Sequence, residues 1–199
     1  MALVRRLGYA RPAVCSDNCV CGWVLVNQAK FRYCPACGGE GLGYDGVKRF
    51  HCESCDFVFY FNPAAAVAGI ITAGDRVLAG VRAFDPKQGY YDFPGGFVDP
   101  GESAEQALLR ELAEELGQSP HSISYLCSSH NVYHYRGLDY TICDVFYRCE
   151  YADLSVLKAA DDVAELRWLP IAELDCADFA FDSASDAIRH IQRSCLHGD

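Results

Sequence analysis

The stretch Gly95–Gln118, GGFVDPGESAEQALLRELAEELGQ, limits what this chain can fold into more than any other. Two glycines follow Phe93-Pro94, a turn runs through Asp99-Pro100-Gly101, and the pattern then becomes helical. Ser103 and Gln106 have the capping-box spacing that predicts a helix start, and Gly117 stands where helices commonly stop. Leu108, Leu112 and Leu116 recur every fourth residue and make one apolar stripe. Glu111, Glu114 and Glu115 fall at i, i+3 and i+4 and cluster on another face. Three carboxylates within one turn repel one another, by roughly 0.2–0.5 kcal/mol per solvated pair. A divalent cation removes that repulsion, because hard cations such as Mg2+ take oxygen ligands. Most Glu-rich helices are simply solvated faces. The glycine loop ahead of this one, and its fixed Arg-Glu order, set it apart.

From Gly96 the residues run G-x5-E-x7-R-E-U-x-E-E-x-G-U, where U is a bulky aliphatic residue. Gly96, Glu102, Arg110, Glu111, Leu112, Glu114, Glu115 and Gly117 match, and only Gln118 departs. The segment resembles the Nudix box, the signature of hydrolases acting on nucleoside diphosphates linked to another moiety. The resemblance implies an α/β fold, an α/β/α sandwich with a mixed sheet, over about residues 64–195. It implies that Glu111, Glu114 and Glu115 hold Mg2+ or Mn2+, with the backbone carbonyl of Gly95 or Gly96 as a further ligand. Arg110 would pair with Glu102 to brace the loop against the helix, and Gly96, Glu102 and Gly117 would shape the box. It also leaves one carboxylate to come from a downstream loop as metal ligand or general base. Glu165 is the candidate, with Asp161 and Asp162 as runners-up.

Residues 31–61 carry a second pattern. Cys34-x2-Cys37 and Cys52-x2-Cys55 are separated by fourteen residues, and each pair has the spacing of a knuckle that points two thiolates at one ion. The segment resembles a zinc ribbon, with Zn2+ in a purely structural role. Tyr33, Phe50, Phe57 and Phe59 are expected to form its small core, and His51 to lie outside the ligand set. A piece this short needs its metal to fold. Residues 1–30, with Cys15, Cys19 and Cys21, read as a poorly ordered extension.

A ribbon ahead of a Nudix domain is similar to the arrangement of the NADH pyrophosphatases. Those carry a Ser-Gln-Pro-Trp-Pro-Phe-Pro-type motif after the box, and this chain has Ser-Ser-His-Asn-Val-Tyr at 128–133 instead. ADP-ribose, NAD(H)-like dinucleotides, dinucleoside polyphosphates and nucleotide sugars therefore all stay open. Arg82 before the box, and Tyr133, Tyr135 and Tyr140 after it, are the candidates for substrate contact, since nucleobases stack on aromatic rings. Aromatic residues in a hairpin serve equally well as cross-strand packing.

The rest of the chain reads as strands and one more helix. Asn62-Pro63 marks a boundary, 64–73 a buried strand, and 76–82 its hairpin partner. Further strands are expected at 91–94, 123–129, 140–149 and 164–169, a helical turn at 171–174, and a helix at 184–193. Residues 152–163 read as an acidic connection.

The 199-residue chain has a net charge of −10, placed unevenly. Residues 1–63 carry seven Lys/Arg against five Asp/Glu, and residues 64–199 ten against twenty-two. That acidic balance argues against a nucleic-acid partner. No apolar run reaches membrane-spanning length, which argues against a membrane. The chain has twelve cysteines, and the metal-like spacing of Cys34, Cys37, Cys52 and Cys55 points to a reducing cytoplasm rather than to secretion. The expected activity is cleavage of a pyrophosphate linkage in a small nucleotide, with a homodimer left open. The alternative is a nucleotide-sensing regulator whose ribbon contacts nucleic acid or a protein. A complete acidic cluster favours the enzyme.

Overall fold

The computed structural model describes residues 30–46 and 48–197. The extension with Cys15, Cys19 and Cys21 lies outside the described residues. The rest divides into two compact units, with the division between Phe61 and Asn62.

The first unit is a three-stranded antiparallel sheet in the order β1 (Leu42–Tyr44), β2 (Arg49–Cys52), β3 (Val58–Tyr60). Its two knuckles are built alike. The amide of Gly38 donates to the Cys34 carbonyl at 2.8 Å, and the amide of Asp56 to the Cys52 carbonyl at 3.1 Å. Gly38 (φ 70°) and Asp56 (φ 55°) both take the left-handed conformation that closes such a turn. Cys34, Leu42, Phe50 and Cys52 are buried, with Phe31, Tyr44, Phe57 and Phe61 packed against them. The expected core is therefore half right. Phe50 and Phe57 belong to it, but Tyr33 and Phe59 are exposed, and Phe31, Tyr44 and Phe61 take their place. The register pairs Phe50 with Phe59, yet all three residues of β3, at the sheet edge, stay open to solvent.

The second unit holds two sheets. One has the order β8 (Gly95–Phe97), β4 (Ala64–Ile70), β10 (Leu138–Glu150), β9 (Ser122–Tyr135). Its central pair, β4 and β10, is parallel and its outer pairs are antiparallel, so the sheet is mixed. The other sheet has the order β11 (Val163–Pro170), β6 (Arg76–Arg82), β5 (Thr72–Ala73), with β7 (Tyr91–Asp92) also on β6. The expected strand 64–73 is split at Ile71, so that its two halves serve different sheets. The expected strand 123–129 runs on to Tyr135 and turns back through Arg136 (φ 48°) and Gly137 (φ 78°). Positive φ at both central residues is the two-residue hairpin geometry that matches strand twist.

Helices α1 (Ala104–Leu116) and α2 (Ala184–His197) cover opposite faces of the mixed sheet. Strand alternation decides which residue meets which helix. Val67 and Ile71 pack in the cluster with Leu108, Leu112 and Leu116 of α1. Ala68 and Ile70 pack in the cluster with Ala187, Ile188 and Ile191 of α2. The result is the expected α/β/α sandwich. Helix α1 starts as the spacing predicts, with Ser103 and Gln106 bonded reciprocally as a capping box, and Gly117 ends it in the left-handed conformation. Among the described residues no helix is long and apolar enough to cross a membrane.

Candidate active site

The chain brings the glycine loop down onto the carboxylates of α1. The Gly95 amide donates to Glu115 Oε2 at 2.8 Å. A Cβ at Gly96 would collide with the Glu111 carboxylate, and one at Gly95 (φ 149°) with the Val67 carbonyl. The backbone of β4 requires glycine at Gly95, whereas a side chain at Gly96 would displace only the Glu111 carboxylate.

Arg110 binds the loop to the helix. Its Nε and Nη2 hold the two oxygens of Glu102 at 2.9 Å each, and Nη2 reaches the Phe97 carbonyl at 3.1 Å. Its Nη1 bonds Glu111 at 2.8 Å and Glu114 at 3.2 Å. The guanidinium fork fits two acceptors at once, as a lysine would not. The hydrogen bonds from Arg110 hold the Glu102 carboxyl below the ordinary range. Burial pushes the Glu111 carboxyl up, against the pull of Arg110.

Glu115 is the outlier of the box. It is 7% exposed, and burial pushes it up to about 8 despite the Gly95 amide. The negative charges of Glu111, Asp92 and Asp162 push in the same direction. A buried carboxylate this poorly compensated is what a divalent cation would satisfy, so the donor set fits Mg2+ or Mn2+. The three glutamates do not yet converge. Glu111 and Glu114 share Arg110 while Glu115 takes Gly95, and among the described residues only the four ribbon thiols gather within 4.8 Å.

Of the three downstream carboxylates the sequence offers, Asp162 lines the cleft and Glu165 does not. Glu165 is exposed on β11, and its carboxylate is held by Arg167 at 2.8 Å, which lowers its pKa. It is not part of the cleft lining, whereas Asp162 is. Asp161 acts on Glu111 by its charge. The physical reason lies at the end of α1. Its last carbonyls need partners outside the helix. The amide of Ala160 donates to the Glu115 carbonyl at 2.9 Å, and that of Lys158 to Leu116 at 3.2 Å. The acidic connection is thereby pinned against the box, and Asp161 and Asp162 come with it.

Beside the carboxylates lies a cleft of about 190 Å³. Glu115, Asp162 and the glycine loop line one side, and Arg82, Tyr133 and Phe181 line another. The rings form a chain. Phe97 meets Tyr133 at 5.8 Å, Tyr133 meets Phe181 at 5.8 Å, and the Arg82 guanidinium lies over Phe181 at 5.1 Å. Arg82 is held by Asp92 at 3.0 Å and by the Pro86 carbonyl at 2.9 Å. Burial raises Asp92 to about 6, against the opposing charge of Arg82. Two of the four expected substrate contacts, Arg82 and Tyr133, therefore face the cleft. Tyr135 is exposed beside Arg136, and Tyr140 is the cross-strand partner of Tyr133; neither lines the cleft.

The sequence reading missed Asp92, Phe97, Asn131, Asp144, Phe181 and Ser183, all of which line the cleft. For Asp144 a signal was present. It interrupts the face of β10 that Ile142 and Phe146 otherwise make apolar.

In the first unit, the Cys34 and Cys55 sulfurs stand 3.7 Å apart and those of Cys37 and Cys52 3.8 Å apart. Thiolates arranged tetrahedrally around zinc at about 2.3 Å have sulfur–sulfur edges of about 3.8 Å. All four lie within 4.8 Å of one another, so the set fits a structural zinc ion. Backbone amides of Ser54 and Cys55 draw the Cys52 thiol down to about 7. His51 points elsewhere, to Asp56 at 3.7 Å.

Known proteins share the fold of the second unit. The NAD-capped RNA hydrolase NudC of Pseudomonas fluorescens is 28% identical over 145 residues, 72% of this chain and 49% of the relative. NudC of Stutzerimonas stutzeri is 28% identical over 173 residues, 86% of this chain and 56% of the relative. The chain thus spans about half the length of these curated relatives. A NUDIX hydrolase from Nitrosomonas europaea superposes with a TM-score of 0.59 at 24% identity, covering 84% of this chain and 94% of that one. The family model for the NUDIX domain matches residues 61–190, and the chain belongs to that family.

Proposed function

We propose that the chain hydrolyses the pyrophosphate linkage of a nucleoside diphosphate joined to a second moiety. The observation that carries this is Glu115, buried with its carboxyl pushed to about 8, held by the glycine loop and open to an aromatic-lined cleft. A carboxylate kept there costs stability, and such perturbed groups cluster at functional sites. Bound Mg2+ or Mn2+ would neutralise phosphate oxygens and ease ionisation of a water. Glu111, Glu114 and Glu115 would hold it, and Arg110 would yield Glu111 and Glu114 while keeping Glu102. Asp162, with Asp161 beside it, would accept the proton of the attacking water. The water oxygen then bonds to one phosphorus, the bond to the bridging oxygen breaks, and its electron pair leaves with the other phosphate. Tyr133 and Phe181 would hold the base, and Arg82 the phosphates. Zn2+ in the ribbon is structural.

Similarity to NAD-capped RNA hydrolases makes NAD-type dinucleotides the first substrates to try. The test is a panel of NAD, NADH, ADP-ribose, diadenosine polyphosphates, nucleotide sugars and NAD-capped RNA, each with Mg2+ and with Mn2+. Metal-dependent release of a nucleoside monophosphate from any of them supports the reading. Failure across the panel with both metals overturns it.

A further inference from the structure

The cleft holds a second polar group that the hydrolytic chemistry leaves unused. Asp144 lies on β10 between Ile142 and Phe146, and all three line the cleft. Its carboxylate accepts hydrogen bonds from Ser183 and Asn131. Both partners are themselves buried, Ser183 at 3% and Asn131 at 8% exposure. The orientation of Asn131 is fixed, because its Oδ1 accepts the Val132 amide at 2.8 Å. Its amide nitrogen is therefore the end that serves Asp144.

Chemically, this corner is rich in acceptors. A carboxylate offers about four lone-pair sites. Two bonds from Ser183 and Asn131 leave acceptor capacity for a ligand. The neighbouring wall is Tyr133 and Phe181, which accept a planar ring by stacking. A packing role alone would favour an apolar residue here, as at Ile142 and Phe146, since burial penalises the charged carboxyl and raises its pKa.

We infer that Asp144, positioned by Asn131 and Ser183, selects the ligand by accepting a hydrogen bond from the exocyclic amine of a nucleobase stacked on Tyr133 and Phe181. Adenine and cytosine carry such an amine where hypoxanthine and uracil carry a carbonyl oxygen. A carbonyl facing the carboxylate meets acceptor against acceptor and leaves a desolvated group unpaired. The inference rests on the reading of the cleft as a nucleotide site, but it concerns binding rather than turnover.

The test is calorimetric binding of AMP against IMP, and of CMP against UMP, to the full chain and to Asp144→Asn. The unmodified chain is expected to favour the amine-bearing member of at least one pair by about tenfold or more. The arm that discriminates identifies the base. Asp144→Asn is expected to bring that ratio to near unity. Equal binding within both pairs by the unmodified chain overturns the inference without any variant. So does a variant that weakens both members alike and keeps their ratio, the result of a merely structural role. Discrimination without any hydrolysis across the substrate panel would leave this inference standing and remove the proposed activity instead.

Discussion

The Gly95 amide donates to the Glu115 carboxylate at 2.8 Å, across twenty residues of sequence. That bond ties the loop before the helix to the last turn of the helix. It fixes the one carboxylate of the box that burial has most disfavoured as an anion. Loop, helix and candidate metal site are thus a single unit, and changes at either end should be felt at the other.

The two glycines should separate structure from chemistry. Gly95→Ala places a Cβ against the Val67 carbonyl at φ 149°, so backbone must move. The expected loss is about 1–3 kcal/mol of stability, read from a denaturant melt. Gly96→Ala meets only the end of the Glu111 side chain. It should fold nearly normally but displace Glu111, with turnover falling about a hundredfold. Equal stability losses for both would contradict this division.

Stability without divalent metal should fall as pH rises. Glu115 has its pKa raised from 4.5 to about 8 on folding, so the native state binds the extra proton between those values. Stability is therefore full below the unfolded value and is lost as pH rises toward 8. Asp92, raised from 3.8 to about 6, acts in the same direction and is spent earlier. In EDTA the melting temperature should drop by about 5 °C or more from pH 6 to pH 8. Glu115→Gln should flatten that slope, and saturating Mg2+ should reverse it. A variant slope equal to the parent's would remove Glu115 as the cause.

Asp162 and Glu165 should behave oppositely. Asp162 lines the cleft, and Glu165 holds Arg167 on the surface. Asp162→Asn is expected to lower turnover by about 10²–10⁴-fold, the range of a general base. Glu165→Gln should leave it within about twofold. A silent Asp162→Asn with a disabled Glu165→Gln would restore the reading from sequence.

Zinc removal should act on residues 31–61. With four cysteine sulfurs gathered within 4.8 Å of one another and a small core around Phe50, that unit should lose order on chelation and regain it with Zn2+. Cys34→Ser should do the same without chelator. Amide exchange in residues 31–61 reads the outcome, and unchanged protection after stripping would contradict a zinc-dependent ribbon.

How much of this was legible beforehand depended on the range of the contacts involved. Helix α1 was readable because its cap, stripe and stop are all local: Ser103 with Gln106, the leucine spacing, and Gly117. The cysteine knuckles were readable for the same reason. The break at Ile71 was not, because both halves are equally apolar and only tertiary pairing sends them to different sheets. Glu165 stood out in sequence, but a local salt bridge with Arg167 holds it on the surface. Asp162 is set by the need of α1's last carbonyls for donors, a constraint no local pattern displays. The cleft wall at Phe181 and Ser183 comes from the segment before α2, far along the chain from the box.

The most direct measurement is product release from NAD and ADP-ribose by the parent chain and by Glu115→Gln, across a Mg2+ and Mn2+ titration. The account predicts metal-dependent cleavage by the parent, and a loss of about 10²-fold or more in the variant while its fold is retained. Near-normal turnover by Glu115→Gln, or parent activity that persists unchanged in EDTA, would contradict it.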